Sequence, residues 1–252
     1  MIARITVIAG CVLGLICFYG CSDVIGREGI GGGGGTPGAE YQEDFESLDQ
    51  ASDTALGDGG WMIFGNVTEP NGTYVVGYGA FPAPNNILSF SGIALNQGGP
   101  EQGQQQLVII SDYNNVEDQN AGNRVEANTF RERDVVQDDV GKTVTFSFDA
   151  KQGNINDLAN PGCTETPVPP CDSTALAFLK TLDPADEFAV TNFASQPMTA
   201  ISETWMRYEI SLFIDAGLVG HKLQYGFSAT ASNFEPSGVF YDNILVFTVQ
   251  AP

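Results

Sequence analysis

Beyond Ala39 the dominant period of apolar positions is two, which predicts half-buried strands. In Lys142–Asp149, Val144, Phe146 and Phe148 alternate with Thr143, Thr145 and Ser147. Trp205–Ile214 places Met206, Tyr208, Ile210, Leu212 and Ile214 on one side. Leu223, Tyr225 and Phe227 repeat the pattern opposite Gln224, Gly226 and Ser228. Leu107–Ile110 and Val239–Val249 are more continuously apolar, as strands covered on both faces are. Further strands are expected at Asp44–Leu48, Trp61–Val67, Tyr74–Tyr78, Ile87–Ser91, Arg124–Asn128 and Leu176–Thr181. Turn signals separate them: Pro70-Asn71-Gly72, Asn120-Ala121-Gly122-Asn123, Asn160-Pro161-Gly162 and Pro236-Ser237-Gly238. Helical spacing is not sustained over three turns beyond the N-terminal segment; Asp215–His221 offers one turn or two. Roughly ten strands without helices predict an all-β fold, a two-sheet antiparallel β-sandwich of the jelly-roll kind. No repeat at the period of a propeller or solenoid is visible.

The N-terminus breaks this pattern. Residues 1–20 carry one charge, Arg4, followed by apolar and small residues from Ile5 to Tyr19. A run of about 15 such positions matches a signal-peptide core and falls short of the roughly 20 needed to span a bilayer. Gly20-Cys21-Ser22 then resembles a bacterial lipobox, in which Cys21 is the lipidated first residue of the mature chain. Phe18 and Tyr19 depart from that pattern, and an ordinary secretory signal with an incidental Cys21 is the alternative. Residues 21–38, with glycine at every position from Gly31 to Gly35, read as a flexible tether. Residues 39–252 then form a single domain, a size one β-sandwich can reach. The expected localisation is that of an exported bacterial lipoprotein, at the outer membrane or cell surface, touching the membrane through its N-terminal lipid only.

Composition narrows the chemistry. Ten Lys+Arg against 31 Asp+Glu give a formal net charge of −21. Nucleic acid is excluded as a nonspecific partner, because phosphates need clustered cations. The 42% hydrophobic content and 16 Phe supply a core, so this is not a disordered acidic chain. A single His, His221, argues against imidazole-built zinc sites and Ser-His-Asp chemistry. Of five Cys, Cys11 and Cys17 lie in the signal and Cys21 takes the lipid, leaving Cys163 and Cys171. They flank a short, turn-rich loop in an exported chain, which favours a disulfide over two free thiols.

Four segments taken in order carry a family resemblance. They are Glu43-Asp44-Phe45-Glu46, Val140–Lys151 with its GKTVTFSFDAK run, Thr204–Ser211 opening on Trp205, and Val239-Phe240-Tyr241-Asp242-Asn243-Ile244. The order resembles jelly-roll carbohydrate-binding modules of the galactose-binding-like class, of the type attached to xylanases and β-glucanases, over about residues 40–250. That resemblance implies opening and closing strands lying side by side and a structural Ca²⁺ between them. Glu46 and Asp242 would be its side chains, with Asp44 or carbonyls of the Glu101–Gln104 turn as further contributors. Oxygen-rich sites of this kind suit calcium. The alternative is that these are solvated strand-end carboxylates.

Sugars stack their C–H faces on exposed rings and present hydroxyls to planar amides and carboxylates. Rings in Gly/Asn/Pro-rich loops are therefore the candidates: Tyr74, Tyr78 and Phe81, then Tyr113 beside Asn114, and Phe234. For each, stapling its own loop to the sandwich is the competing role. Phe146, Phe148, Tyr208 and Phe227 sit at core positions, while Trp61 and Trp205 fit either role. The reading is a non-catalytic, membrane-anchored surface module that binds a neutral polysaccharide or glycan. A structural or adhesive envelope protein without glycan binding, and a jelly-roll glycoside hydrolase or lyase, are the alternatives. A strongly negative chain disfavours sulfated or uronate-rich polymers.

Overall fold

The structure, a computed structural model, describes residues 39–159, 163 and 171–250. The expected signal segment, Cys21 and the glycine tether lie outside the described residues. The strands are β1 (Ala39–Glu43), β2 (Met62–Thr68), β3 (Tyr74–Pro82), β4 (Ser91–Leu95), β5 (Gln105–Ile109) and β6 (Arg124–Asp134). There follow β7 (Lys142–Gln152), β8 (Thr174–Asp183), β9 (Ala189–Pro197), β10 (Met206–Phe213), β11 (Lys222–Ala231) and β12 (Val239–Gln250). They form two 6-stranded sheets. Sheet A runs β10-β7-β12-β5-β4, with β1 added along β12; sheet B runs β3-β2-β6-β11-β8-β9. All pairings are antiparallel, so the chain is the expected two-sheet sandwich. Among the described residues helix is confined to α1 (Ala55–Asp58), α2 (Val116–Asn120) and 3-10 turns, of which Ala216–Leu218 falls in the expected Asp215–His221 segment. Among the described residues no helix is long and apolar enough to cross a membrane. Cys163 and Cys171 are disulfide-bonded, with their Cα atoms 4.9 Å apart.

The alternating strands put their apolar sides between the sheets. Val144, Phe146 and Phe148 of β7 meet Leu223, Tyr225 and Phe227 of β11, and all are buried. Aromatic contacts dominate: Phe227 stacks on Tyr241 at 3.7 Å between ring centres, and Phe146 lies 5.4 Å from Phe227. Trp61 and Phe45 close the same cluster, so Trp61 packs inside. The opening and closing strands do lie side by side, Glu43 pairing with Ile244 and Gln42 with Leu245. Met206, expected on the inner side of β10, is exposed at the strand's first residue.

Two expected strands are turns. At Asp44–Leu48 the Phe45 and Glu46 amides donate to the Glu43 and Asp44 carboxylates, Leu48 N donates to Phe45 O, and Phe45 takes φ 61°. These short side-chain links favour a turn over extension. The strand that pairs with β12 is the preceding Ala39–Glu43. At Ile87–Ser91, Asn86 caps Leu88 N and Phe90 takes φ 63°, so extension starts only at Ser91. The edge strand β9 was not foreseen because its burial is slight on both faces.

Candidate functional site

Three groups of side chains bear on function. The first lies where β1 runs into its turn beside β12. Asp242 is 0% exposed. One of its oxygens, Oδ1, accepts from Asn243 N at 2.5 Å, while Oδ2 is buried with no partner. Burial raises its carboxyl pKa to about 8; the Asn243 amide opposes this, and the charges of Asp149, Asp44 and Glu46 push it up further. Asp149, by contrast, is fully engaged. Arg207 Nε sits 2.6 Å from Oδ1, while Gln102 Nε2 and Asn243 Nδ2 donate to Oδ2 at 2.9 and 2.7 Å. Glu46 Oε1 accepts from Gln104 N and Gln105 N at 2.6 and 2.7 Å, which ties the β1 turn to the turn before β5.

The resemblance leads one to expect a structural cation at this seam, and the oxygen donors here are of the type a hard cation takes. An orphaned buried carboxylate oxygen, held among other carboxylates that destabilise its charge, would gain its missing partner from an oxygen-seeking cation. Among the described residues no three His, Cys, Asp or Glu side chains converge as a metal-binding group. Asp242 and Glu46 therefore need backbone carbonyls to complete a site. Asp242 cannot act on a substrate, since no part of it reaches solvent.

The second group lies on the outer face of sheet B. Ile63, Ala127, Phe227 and Leu179 point into the core, so their neighbours Phe64, Asn66, Glu126, Asn128, Ser228 and Lys180 point outward. Register aligns them in rows: Gly77–Asn66–Glu126–Thr230, then Phe64–Asn128–Ser228–Leu176. Gly77 decides the local shape. A Cβ there would stand 2.8 Å from the Tyr74 hydroxyl, 2.9 Å from Phe64 Cζ and 3.3 Å from Asn66 Oδ1. Only the bare backbone lets the Tyr74 and Phe64 rings converge above it. Tyr74 is 63% exposed. Beside the rings Asn66 Nδ2 donates to Glu126 Oε2 at 2.8 Å, and Asn128 Nδ2 donates to Phe64 O at 3.2 Å. These polar groups are held at fixed angles with spare capacity: an amide carbonyl, an amide N–H and a carboxylate oxygen. Further along, Phe130 and Phe178 are buried, and the Lys180 ammonium lies 4.6 Å over the Phe178 ring. Burial lowers the Lys180 pKa, partly offset by Glu126 and Glu132.

The third group is the loop aromatics. Tyr78 faces inward over Gly65 and donates to Asp112 Oδ2 at 2.7 Å, while its ring meets Phe90 edge-on. Burial and that acceptor both raise its pKa. Phe81 is part-exposed and leans edge-on against the same Phe90 at 6.2 Å. Tyr113 directs its hydroxyl to Glu235 O and Ser237 Oγ, both at 2.6 Å. Burial pushes its pKa up to about 12. Exposed Asn114 gives its amide to Asp112 Oδ1, and Phe234 gives its amide to Gln119 Oε1. Tyr78, Asn114 and Phe234 thus bond Asp112 or Gln119, Phe81 packs on Phe90, and the polar atoms of Tyr78 and Tyr113 are used in holding connections together. Tyr74 alone of the six lies on the sheet B face.

Sequence reasoning missed Phe64, Asn66, Glu126 and Asn128. Their outward positions read as ordinary solvated alternation. The available signal was the concentration of planar amides and acids on one parity of adjacent strands, which becomes visible only once the register is known.

No protein-family model matches this chain, and no curated protein does. Solved structures with a similar course include a cyclase from Fischerella sp. TAU, 16% identical, covering 85% of this chain and 96% of the cyclase at TM-score 0.47. A second comes from a study of carbohydrate-binding modules of the β-sandwich superfamily, 14% identical, covering 83% of this chain and 62% of that one at TM-score 0.41. A third is the enzymatically active domain of bacteriophage CBA120 tailspike protein 4, 11% identical, covering 81% of this chain at TM-score 0.43; this chain spans 21% of it. Every one of these TM-scores is below 0.5, so none of the three proteins' ligands or reactions is carried over. The site is read from this chain's own residues.

Proposed function

We propose that the chain is a non-catalytic module that binds a neutral glycan on the outer face of sheet B, around Tyr74, Phe64, Asn66, Glu126 and Asn128. The observation that carries this reading is the convergence of an exposed and a half-buried ring over Gly77, next to an amide–carboxylate pair already locked in register. Rings supply a stacking surface and the fixed amides supply directional partners for hydroxyls, a small set of preplaced polar groups on an otherwise apolar site. Arg124, at the end of the same strand as Glu126, is held by Asp172, and the net charge is −21, so neutrality suits the ligand.

Affinity electrophoresis against β-glucan, xylan and alginate tests this. Retardation by a neutral polymer, lost in Tyr74→Ala and Asn66→Ala at unchanged melting temperature, is the expected result. Absence of retardation by every polymer favours an envelope structural role, and release of sugar products favours an enzyme. The same reading includes two features carried by the sequence: a structural Ca²⁺ held by Asp242 and Glu46, with Asp44 beside them, and an acyl anchor on Cys21. A bound calcium would neutralise Asp242 and fix the β1–β12 seam. Incorporation of labelled fatty acid that disappears in Cys21→Ala tests the anchor.

A further inference from the structure

We infer that the outer face of sheet A carries a second site, separate from the Tyr74 patch, that takes a single uronic-acid residue of a glycan. A groove of about 540 Å³ opens on that face. Its floor is the row Lys151–Phe240–Val108, which crosses β7, β12 and β5. Ile87 forms one wall, and the amides of Gln97 and Asn154 stand along it. The Lys151 ammonium lies 5.3 Å from the Phe240 ring centre and 5.4 Å from that of Trp205. Trp205 is held in place, its Nε1 donating to Gln97 O at 3.0 Å.

Lys151 is set apart by its place: it is the cation that lines this groove, between two ring faces. In a chain with 31 Asp+Glu against 10 Lys+Arg, it has no carboxylate at ion-pair distance among the described residues. Its neighbours are ring faces, which hold a cation without neutralising it. Burial lowers its pKa, so an arriving anion both finds a partner and restores the charged form. An ammonium selects a carboxylate, the rings select flat C–H surfaces, and the amides select hydroxyls. The ligand that offers all three on one ring is an acidic pyranose. One such residue fits better than a run of them. Attraction to Lys151 fades beyond a screening length of about 8 Å at physiological salt, and further carboxylates would meet a negative surface.

The test is a titration of the full chain followed by the two Trp indole N–H signals, with D-glucuronate, its methyl ester and glucose as probes. Glucuronate is expected to move the Trp205 signal and leave buried Trp61 in place, while the ester and glucose leave both unmoved. Lys151→Met, which keeps the apolar stem over the rings, is expected to weaken binding roughly tenfold or more, the loss of one charge-assisted hydrogen bond. Lys151→Arg is expected to retain it. Equal responses to glucose and glucuronate, a Trp205 signal that never moves, or a Lys151→Met protein that titrates like the parent would each overturn the proposal. Retention of neutral-glycan binding in Lys151→Met separates this site from the Tyr74 patch, and each stands without the other.

Discussion

Asp112, just past β5, and Asp242, within β12, are both buried carboxyl groups, and they are treated in opposite ways. Asp112 accepts from Ser89 Oγ and Asn114 N at 3.0 Å each on one oxygen, and from Tyr78 at 2.7 Å on the other. Asp242 has one short bond from its neighbour's amide and an oxygen facing nothing. A buried charge supplied with donors is a structural pin; one left short of them is either protonated or completed by a cation. The contrast separates an acid that the fold has finished from an acid that the fold has prepared.

The largest expected effect tests Asp242. Its folded pKa is raised to about 8 from 3.8, so in chelator the unfolded chain ionises first as pH rises. The contribution of Asp242 to stability is then full below about pH 4 and falls toward pH 8, by an amount on the order of 5 kcal/mol. Calcium should remove that slope and raise the melting temperature at pH 8, and Asp242→Asn should abolish both responses. A flat pH profile in chelator, with no effect of calcium, would erase the contrast. Next comes Asp112→Ala, which strands the Tyr78 and Ser89 hydroxyls and the Asn114 amide. It is expected to cost roughly 2–4 kcal/mol in denaturant unfolding, identically with and without chelator. Tyr113→Phe removes only the hydroxyl shared by Glu235 O and Ser237, while Ser237 keeps its bond from Ser111 N. About 1–2 kcal/mol is expected, with no change in glycan retardation. The smallest effect on stability is expected of Tyr74→Ala, within about 0.5 kcal/mol, although it should remove binding. A large loss of stability there would make Tyr74 another staple.

Much of the fold could be read from residue order. β7, β10 and β11 follow from their period and β12 from its nearly continuous apolar run, and the pairing of the first strand with the last followed from the resemblance. The errors have a common cause. At Glu43–Leu48 and Asn86–Ser91 the apolar residues suit a strand, yet an Asp, Glu or Asn two positions earlier captures a backbone amide and bends the chain. β9 escaped notice because an edge strand exposed on both sides shows little contrast between parities. That Asp242 and Glu46 lie in motifs on neighbouring segments was legible, since the opening and closing strands pair. The sheet B patch was not, because Phe64, Asn66 and Asn128 become neighbours of Tyr74 only through the register of three strands.

Strand β12 is bordered by β7 along one edge, and along the other by β5 at Val239–Tyr241 and β1 at Ala39–Glu43's partners Ile244–Phe247. Among the described residues no other strand pairing joins the parts of sheet A: remove β12 and its ladder separates into the β4–β5 pair, the β7–β10 pair and a solitary β1. Sheet B keeps its whole ladder without it. A ribosome that has not yet delivered Val239 therefore holds one complete layer, and the second layer locks in a single late event when this keystone arrives.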